Sequence, residues 1–199
     1  MLFRSGFYAG ELDRWRDLLT EAGGRIREVG TADELRDVDV SEVLVLPEAP
    51  CLSTPERSAI LEHVARGGSL VSNSALGARD GACDWLGWQT LARLTGAEAA
   101  VELPTREALY LTVPGGVALS PGLDPGTRIE LRPDRSVALR LPGAGVYWSD
   151  WAMNPAPDGQ GSRAGVAAVA DRTAAGGRIA WYGLRVGQAA GPEIGRAHV

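Results

Sequence analysis

Residues 41–72, SEVLVLPEAPCLSTPERSAILEHVARGGSLVS, decide the fold. Val43-Leu44-Val45-Leu46 is an unbroken β-branched and aliphatic run, and a strand apolar on both faces belongs inside a parallel sheet covered by helices. Pro47 ends it, because proline cannot donate to a strand ladder. Ser53-Thr54-Pro55-Glu56 then opens a helix: the Ser53 hydroxyl can accept from the Glu56 amide while the Glu56 carboxylate reaches back. Pro55 falls in the first turn, where its missing N–H costs nothing. Ile60, Leu61 and Val64 share the face turned to the sheet, Gly67-Gly68 closes the helix, and Ser69 to Ser72 returns as a strand. The stretch is one parallel β-α-β crossover, a unit that is almost always right-handed.

Upstream, Glu11 to Ala22 puts Leu12, Trp15, Leu18, Leu19 and Ala22 on one helical face with Glu, Asp and Arg opposite, and Gly23-Gly24 stops it. Arg25 to Val29 reads as a short strand, and Thr31 starts a brief helical turn. Downstream, Asp84 to Leu94 reads as a helix with Trp85, Trp88, Leu91 and Leu94 spaced for burial. From about Glu102 short alternating runs take over at Leu109–Val113, Arg128–Leu131 and Val137–Leu141, separated by Pro/Gly/Asp turns; Val166–Ala170 and Arg178–Tyr182 follow. The expected architecture is α/β, with a β-rich second half that returns its last strands to the parallel sheet.

Leu2-Phe3-Arg4-Ser5 and Glu193 to Val199 resemble in-frame translations of sequencing-library adapters. On that reading the natural segment is 6–192, a single domain with an α/β core over 6–100 and a β-rich part over 101–192, and a first strand is missing. Apolar content of 45% and charged content of 23% are those of a globular chain. The net charge of -5 gives no basic surface for nucleic acid or anionic membrane. Every basic residue is Arg, which reads as high-GC coding bias, and no apolar run approaches the ~20 residues of a membrane span. Cys51 and Cys83 are too few for a disulfide framework and lack metal-ligand spacing, so two buried free thiols are expected.

The order strand, Pro47, loop, Leu52-Ser53, Glu56, helix, Gly67-Gly68, strand, Gly77-Ala78-Arg79-Asp80 resembles the class I glutamine-amidotransferase-like superfamily. Within it the pattern is similar to the trimerisation domain of certain β-galactosidases and to domains beside polysaccharide deacetylases. Leu91 to Gly96 resembles the helix end that closes the core motif there, and Gly176 to Gly183 the closing strand. The resemblance implies a flavodoxin-like fold, a three-layer parallel sheet between helices. Active members of the superfamily use a Cys nucleophile on a sharp strand-to-helix turn, with His and an acid. Here that turn is Ser72-Asn73-Ser74-Ala75-Leu76-Gly77, without Cys and without both flanking glycines. Outside the adapter-like end the only histidine is His63, expected on the helix surface away from the strand ends, so no nucleophile–His pair is expected.

Several residues remain as candidates. Cys51 reads as a small packing residue, with a reactive thiol at a strand end as the alternative. Asn73 and Ser74 can line a strand-end pocket or simply cap the turn. Asp80 with Asp84 reads as a solvated loop before a cation site. Tyr147-Trp148-Ser149-Asp150-Trp151 has the aromatics and acid of a sugar-binding face, or packs a Trp-rich interface; Trp148, Asp150 and Trp151 carry the first reading. Gly143-Ala144-Gly145 lies between strands, so no phosphate loop, cofactor or metal is implied. The expectation is a non-catalytic accessory or assembly domain of a larger, carbohydrate-active bacterial protein, with a second copy, a neighbouring catalytic domain or carbohydrate as partner. Its alternatives are a hydrolase or amidotransferase-like enzyme using Ser74 or Cys51, and a small-ligand or sugar-sensing module.

Overall fold

The computed structural model describes residues 2–3, 9–104, 109–112, 128–131, 135–140, 148–154, 166–174 and 176–184. Its first half alternates strand and helix: β1 (Leu2–Phe3), α1 (Ala9–Glu21), β2 (Glu28–Val29), α2 (Ala32–Arg36), β3 (Val43–Leu46), α3 (Thr54–Ala65), β4 (Ser69–Asn73) and α4 (Gln89–Thr95). Strands follow: β5 (Ala99–Pro104), β6 (Leu109–Thr112), β7 (Arg128–Leu131), β8 (Arg135–Arg140), β9 (Trp148–Asn154), β10 (Val166–Ala174) and β11 (Gly177–Tyr182). The chain is an α/β protein, as its central crossover predicts.

The parallel part of the sheet runs β2-β1-β3-β4-β11. From β11 the direction reverses: β10 pairs antiparallel with β11, then β9, β6 and β7 continue antiparallel. A side branch joins β8 to β10 and to β5. Thus β11 borders the parallel strands on one side and the antiparallel strands on the other.

Val43–Leu46 forms because its alternate residues are buried on both faces. Leu44 and Leu46 pack with Leu70 of β4, Ile179 of β11, Leu35 of α2 and Ala59, Ile60 and Val64 of α3. Val45 instead packs on Trp15 of α1, joined by Val71, Tyr182, Leu12 and Leu19. The two-residue period of a strand divides its side chains between these clusters. Burying a side chain the size of Ile60 contributes about 1.5–3 kcal/mol.

The helix starts follow their sequence signals. The Glu56 amide donates to Ser53 Oγ at 3.4 Å, and the Ser53 amide donates to Glu56 Oε2 at 2.7 Å. Thr31 and Glu34 build the same reciprocal cap on α2. The Gly30 and Thr31 amides hold the Glu34 carboxyl below its ordinary range.

Leu2–Phe3 lies between β2 and β3, in the position of a first strand. Several expectations need correction. The expected strand at Arg25–Val29 narrows to two residues. The expected helix over Asp84–Leu94 begins only at Gln89. Gly87 has φ +89° and Trp88 supplies no side-chain cap, so the earlier turn never forms, and Trp85 and Leu86 stand at the surface. His63 is not on the helix surface but fully buried. Its ring occupies the space that a side chain at residue 68 would fill, and Nε2 lies 3.3 Å from the Ser69 carbonyl. Gly68 therefore does more than stop α3: it makes room for an imidazole. Burial pushes the His63 pKa below its ordinary value, against the opposing pull of the Ser69 carbonyl.

Candidate functional site

Ligands of open α/β sheets bind outside the carboxyl ends of the strands, and the buried polar residues of this chain gather there. β3 delivers Glu48 two residues past its end, and β4 ends in Asn73 followed by Ser74. α1 contributes Glu11, and β11 contributes Trp181 and Tyr182. Glu11, Glu48, Asn73 and Ser74 are all buried.

Asn73 is the hub of this group. Its Oδ1 accepts from the Glu48 amide at 2.6 Å, and its Nδ2 donates to Glu11 Oε1 at 2.8 Å. The same Glu11 oxygen accepts from Trp15 Nε1 at 3.2 Å. Ser74 Oγ donates to Glu48 Oε1 at 3.3 Å. The Ser74 backbone is pinned on both sides: its amide donates to the Tyr182 carbonyl at 2.7 Å, and its carbonyl accepts from Trp181 Nε1 at 3.0 Å. Buried polar atoms must be matched in this way, since an unpaired one costs about 1–3 kcal/mol.

Two backbones here adopt the left-handed region without being glycine, Glu48 at φ +42° and Ser74 at φ +53°. Such conformations cost of order 1–3 kcal/mol and persist only where the surroundings impose them. Ser74 thus has a strained backbone directly after β4, in the place where a nucleophile elbow falls, but the next helix, α4, begins only at Gln89. What accompanies it is a carboxylate, not an imidazole. His63 lies at the amino end of β4, beside Ser69, roughly 15 Å along the strand from Ser74. A serine nucleophile needs a base within hydrogen-bond reach of its hydroxyl, and the one described histidine is far outside that reach.

The second cysteine expectation is overturned. Cys51 and Cys83 form a disulfide, with Cα atoms 5.0 Å apart. Cys51 follows β3 and Cys83 follows β4, so the bridge ties the two turns at the carboxyl end of the sheet. The reactive-thiol reading of Cys51 falls with it. Asp80 works within the same loop: one carboxylate oxygen accepts from the amides of Ala82 and Asp84, both at 2.9 Å. Among the described residues no group of three or more His, Cys, Asp or Glu is placed to hold a metal ion. Among them, too, no helix is long and apolar enough to cross a membrane.

Of the other sequence candidates, Trp148, Asp150 and Trp151 fall on β9, opposite Arg172, Ala170 and Val169 of β10. Their side chains, and Tyr147 with Gly143-Ala144-Gly145, lie outside the described residues. Sequence reading placed Asn73 and Ser74 together and missed Glu11 and Glu48. For Glu11 the available signal was a Glu–Trp pair one helical turn apart; for Glu48 there was none, because its role is set by a contact 25 residues away.

Fold and site together define an α/β domain whose strand-end turns are closed by a buried acid–amide–hydroxyl network. No family model matches the chain, and no curated protein matches it in sequence. Among solved structures it is similar to a GH42 β-galactosidase from G. stearothermophilus, with 17% identity and a TM-score of 0.67 over 96% of this chain and 25% of that one. It is similar to the exo-β-1,4-mannosidase Op5Man5 from Opitutaceae bacterium strain TAV5, with 16% identity and a TM-score of 0.60 over 94% of this chain and 31% of that one. A ThuA-like protein from Bacteroides uniformis shares 11% identity at a TM-score of 0.56, over 92% of this chain and 80% of that one. At these identities the likeness is one of fold. The chain spans about a quarter of the length of the β-galactosidases it matches, and has the fold of a domain found within larger glycosidases.

Proposed function

We propose that this chain is a non-catalytic accessory or assembly domain of a larger carbohydrate-active protein, of the glutamine-amidotransferase-like type. A flavodoxin-like, three-layer arrangement fits the strand order β2-β1-β3-β4-β11. The observation that carries the reading is the state of the elbow. Ser74 holds the nucleophile's place, yet its hydroxyl is spent on the Glu48 carboxylate inside a buried network, and the single described histidine is at the other end of the strand. The partial match to β-galactosidase chains supports a role beside a catalytic domain.

The test is direct. The purified chain is incubated with glutamine and with nitrophenyl β-galactoside, and ammonia and nitrophenol are followed; neither is expected to appear. Turnover that disappears in Ser74→Ala overturns the reading. It would move the domain to the alternative that the strained Ser74 backbone favours, a hydrolase using Ser74. Assembly is read by light scattering, where a species larger than one chain is expected at high concentration, and a monomer throughout limits the role to docking against a neighbouring domain.

A further inference from the structure

Trp85 is 52% exposed and Leu86 45% exposed, although the segment that carries them is firmly held. Arg79 bridges Cys51 on one side and Trp85 on the other, so three short backbone stretches run side by side. The Arg79 amide donates to the Pro50 carbonyl at 2.9 Å, the Leu52 amide to the Arg79 carbonyl at 3.1 Å, and the Leu86 amide to the Ala78 carbonyl at 2.9 Å. The Asp80 carboxylate fastens the turn from within, and the Cys51–Cys83 disulfide clamps it to the loop after β3.

The indole itself is also oriented. The Arg79 guanidinium lies over it, 5.6 Å from the ring centroid, and donates to the Cys83 carbonyl at 2.9 Å. Trp88 meets it edge-on, with centroids 5.1 Å apart and planes at 86°. A cation and a perpendicular ring fix the indole, while about half of the residue stays in water. Loops positioned by a rigid scaffold are where binding residues concentrate, and an aromatic ring ordered beforehand binds without the entropy loss of ordering it later.

Chemistry and size narrow the ligand. A protein partner needs about 800 Å² on this side. Among the described residues only Trp85 and Leu86 are exposed large hydrophobics at the carboxyl end of the sheet; Val40 and Val43 lie at the other end. A single indole instead matches the C–H face of one pyranose ring. Asp84, beside Trp85 in the chain, and Gln89, four residues on, are exposed and suit hydroxyls, and a net charge of -5 disfavours anions.

We propose that Trp85, oriented by Arg79 and Trp88, is a stacking platform for a neutral pyranose unit of a saccharide, with Asp84 and Gln89 at its rim. This deepens the accessory reading above and rests on its carbohydrate context. The experiment is a calorimetric titration of the whole chain with lactose and with β-1,4-mannobiose, repeated for Trp85→Ala, Trp85→Phe and Leu86→Ala. Binding of at least one disaccharide is expected. It should weaken about tenfold in Trp85→Ala, with retention in Trp85→Phe and Leu86→Ala. Unchanged far-UV circular dichroism in Trp85→Ala separates lost binding from lost folding. No binding by the unaltered chain, or binding indifferent to Trp85→Ala, overturns the platform. A change in self-association with Trp85→Ala and no response to either sugar overturns it in favour of a protein interface. Monosaccharide release is followed in the same samples. Release with binding sinks the accessory reading and leaves the platform standing, whereas absent binding without release does the reverse.

Discussion

The Ser74 hydroxyl donates to Glu48 Oε1 across 3.3 Å, which links the turn after β4 to the turn after β3 at two residues that both have positive φ. Asn73 lies between them in the network and serves both the Glu48 amide and Glu11. Asn73→Leu keeps the branching of the side chain and removes both bonds, so a loss of about 2–4 kcal/mol is expected in urea unfolding. Ser74→Ala removes one weak bond and should cost under about 1.5 kcal/mol. The reverse order of effects would move the centre of the network from Asn73 to Ser74.

Gly68 and His63 are matched in shape. A Cβ on residue 68 would fall 2.2 Å from His63 Nε2, so Gly68→Ala forces the buried ring to move and should cost about 1–3 kcal/mol. The double variant Gly68→Ala/His63→Ala should be less destabilised than the sum of the two singles, because the added methyl then enters vacated space. Strict additivity in the cycle would show that the two residues do not compete for it.

Burial of His63 also sets a pH dependence. Its folded pKa lies below the ordinary 6.5, so the unfolded chain takes up the proton first on acidification. The contribution to stability is therefore complete above pH 6.5 and is lost as pH falls from there towards the folded pKa. The thermal midpoint of the unaltered chain should drop relative to His63→Leu as pH is lowered from about 7.5 to about 5.5. Parallel profiles for the two proteins would contradict this origin of the acid sensitivity.

The Cys51–Cys83 bridge closes a loop with a sequence separation of 32. Loop-closure entropy assigns such a bridge about 3–4 kcal/mol. Cys51→Ser/Cys83→Ser should lose that amount in urea, and intact-mass analysis without reductant should show two hydrogens fewer than after reduction. Equal masses would mean that the thiols are free.

The α/β core was legible because its signals are local. Val43–Leu46, the Ser53–Glu56 cap and Gly67-Gly68 each act within a few residues, and each appears where the sequence puts it. The failures share the opposite property. The disulfide joins residues 32 apart, and neither cysteine carries a local mark of its partner. The apolar spacing 85, 88, 91, 94 matches a helix, but Gly87 at φ +89° breaks it and leaves the first two of the four before α4. His63 looks like a surface residue until the missing side chain of Gly68 is set against it. Asn73 and Ser74 were visible as a polar pair, while the acids that complete their network come from α1 and the β3 turn, beyond any window of sequence.

The position of β11 has a consequence for synthesis. β4 pairs with β3 from residues close in sequence, but its other edge pairs with Gly177–Tyr182, and the Arg178 amide reaches Ser69 Oγ across 109 residues. At ~5–20 residues per second a ribosome needs roughly 5–20 s to make that interval. Throughout it the nascent first half carries an open apolar strand edge, a template for pairing with another chain. Pairing of this edge of β4, and release from that hazard, is thus timed by the synthesis of β11 rather than by the first elements of the sheet.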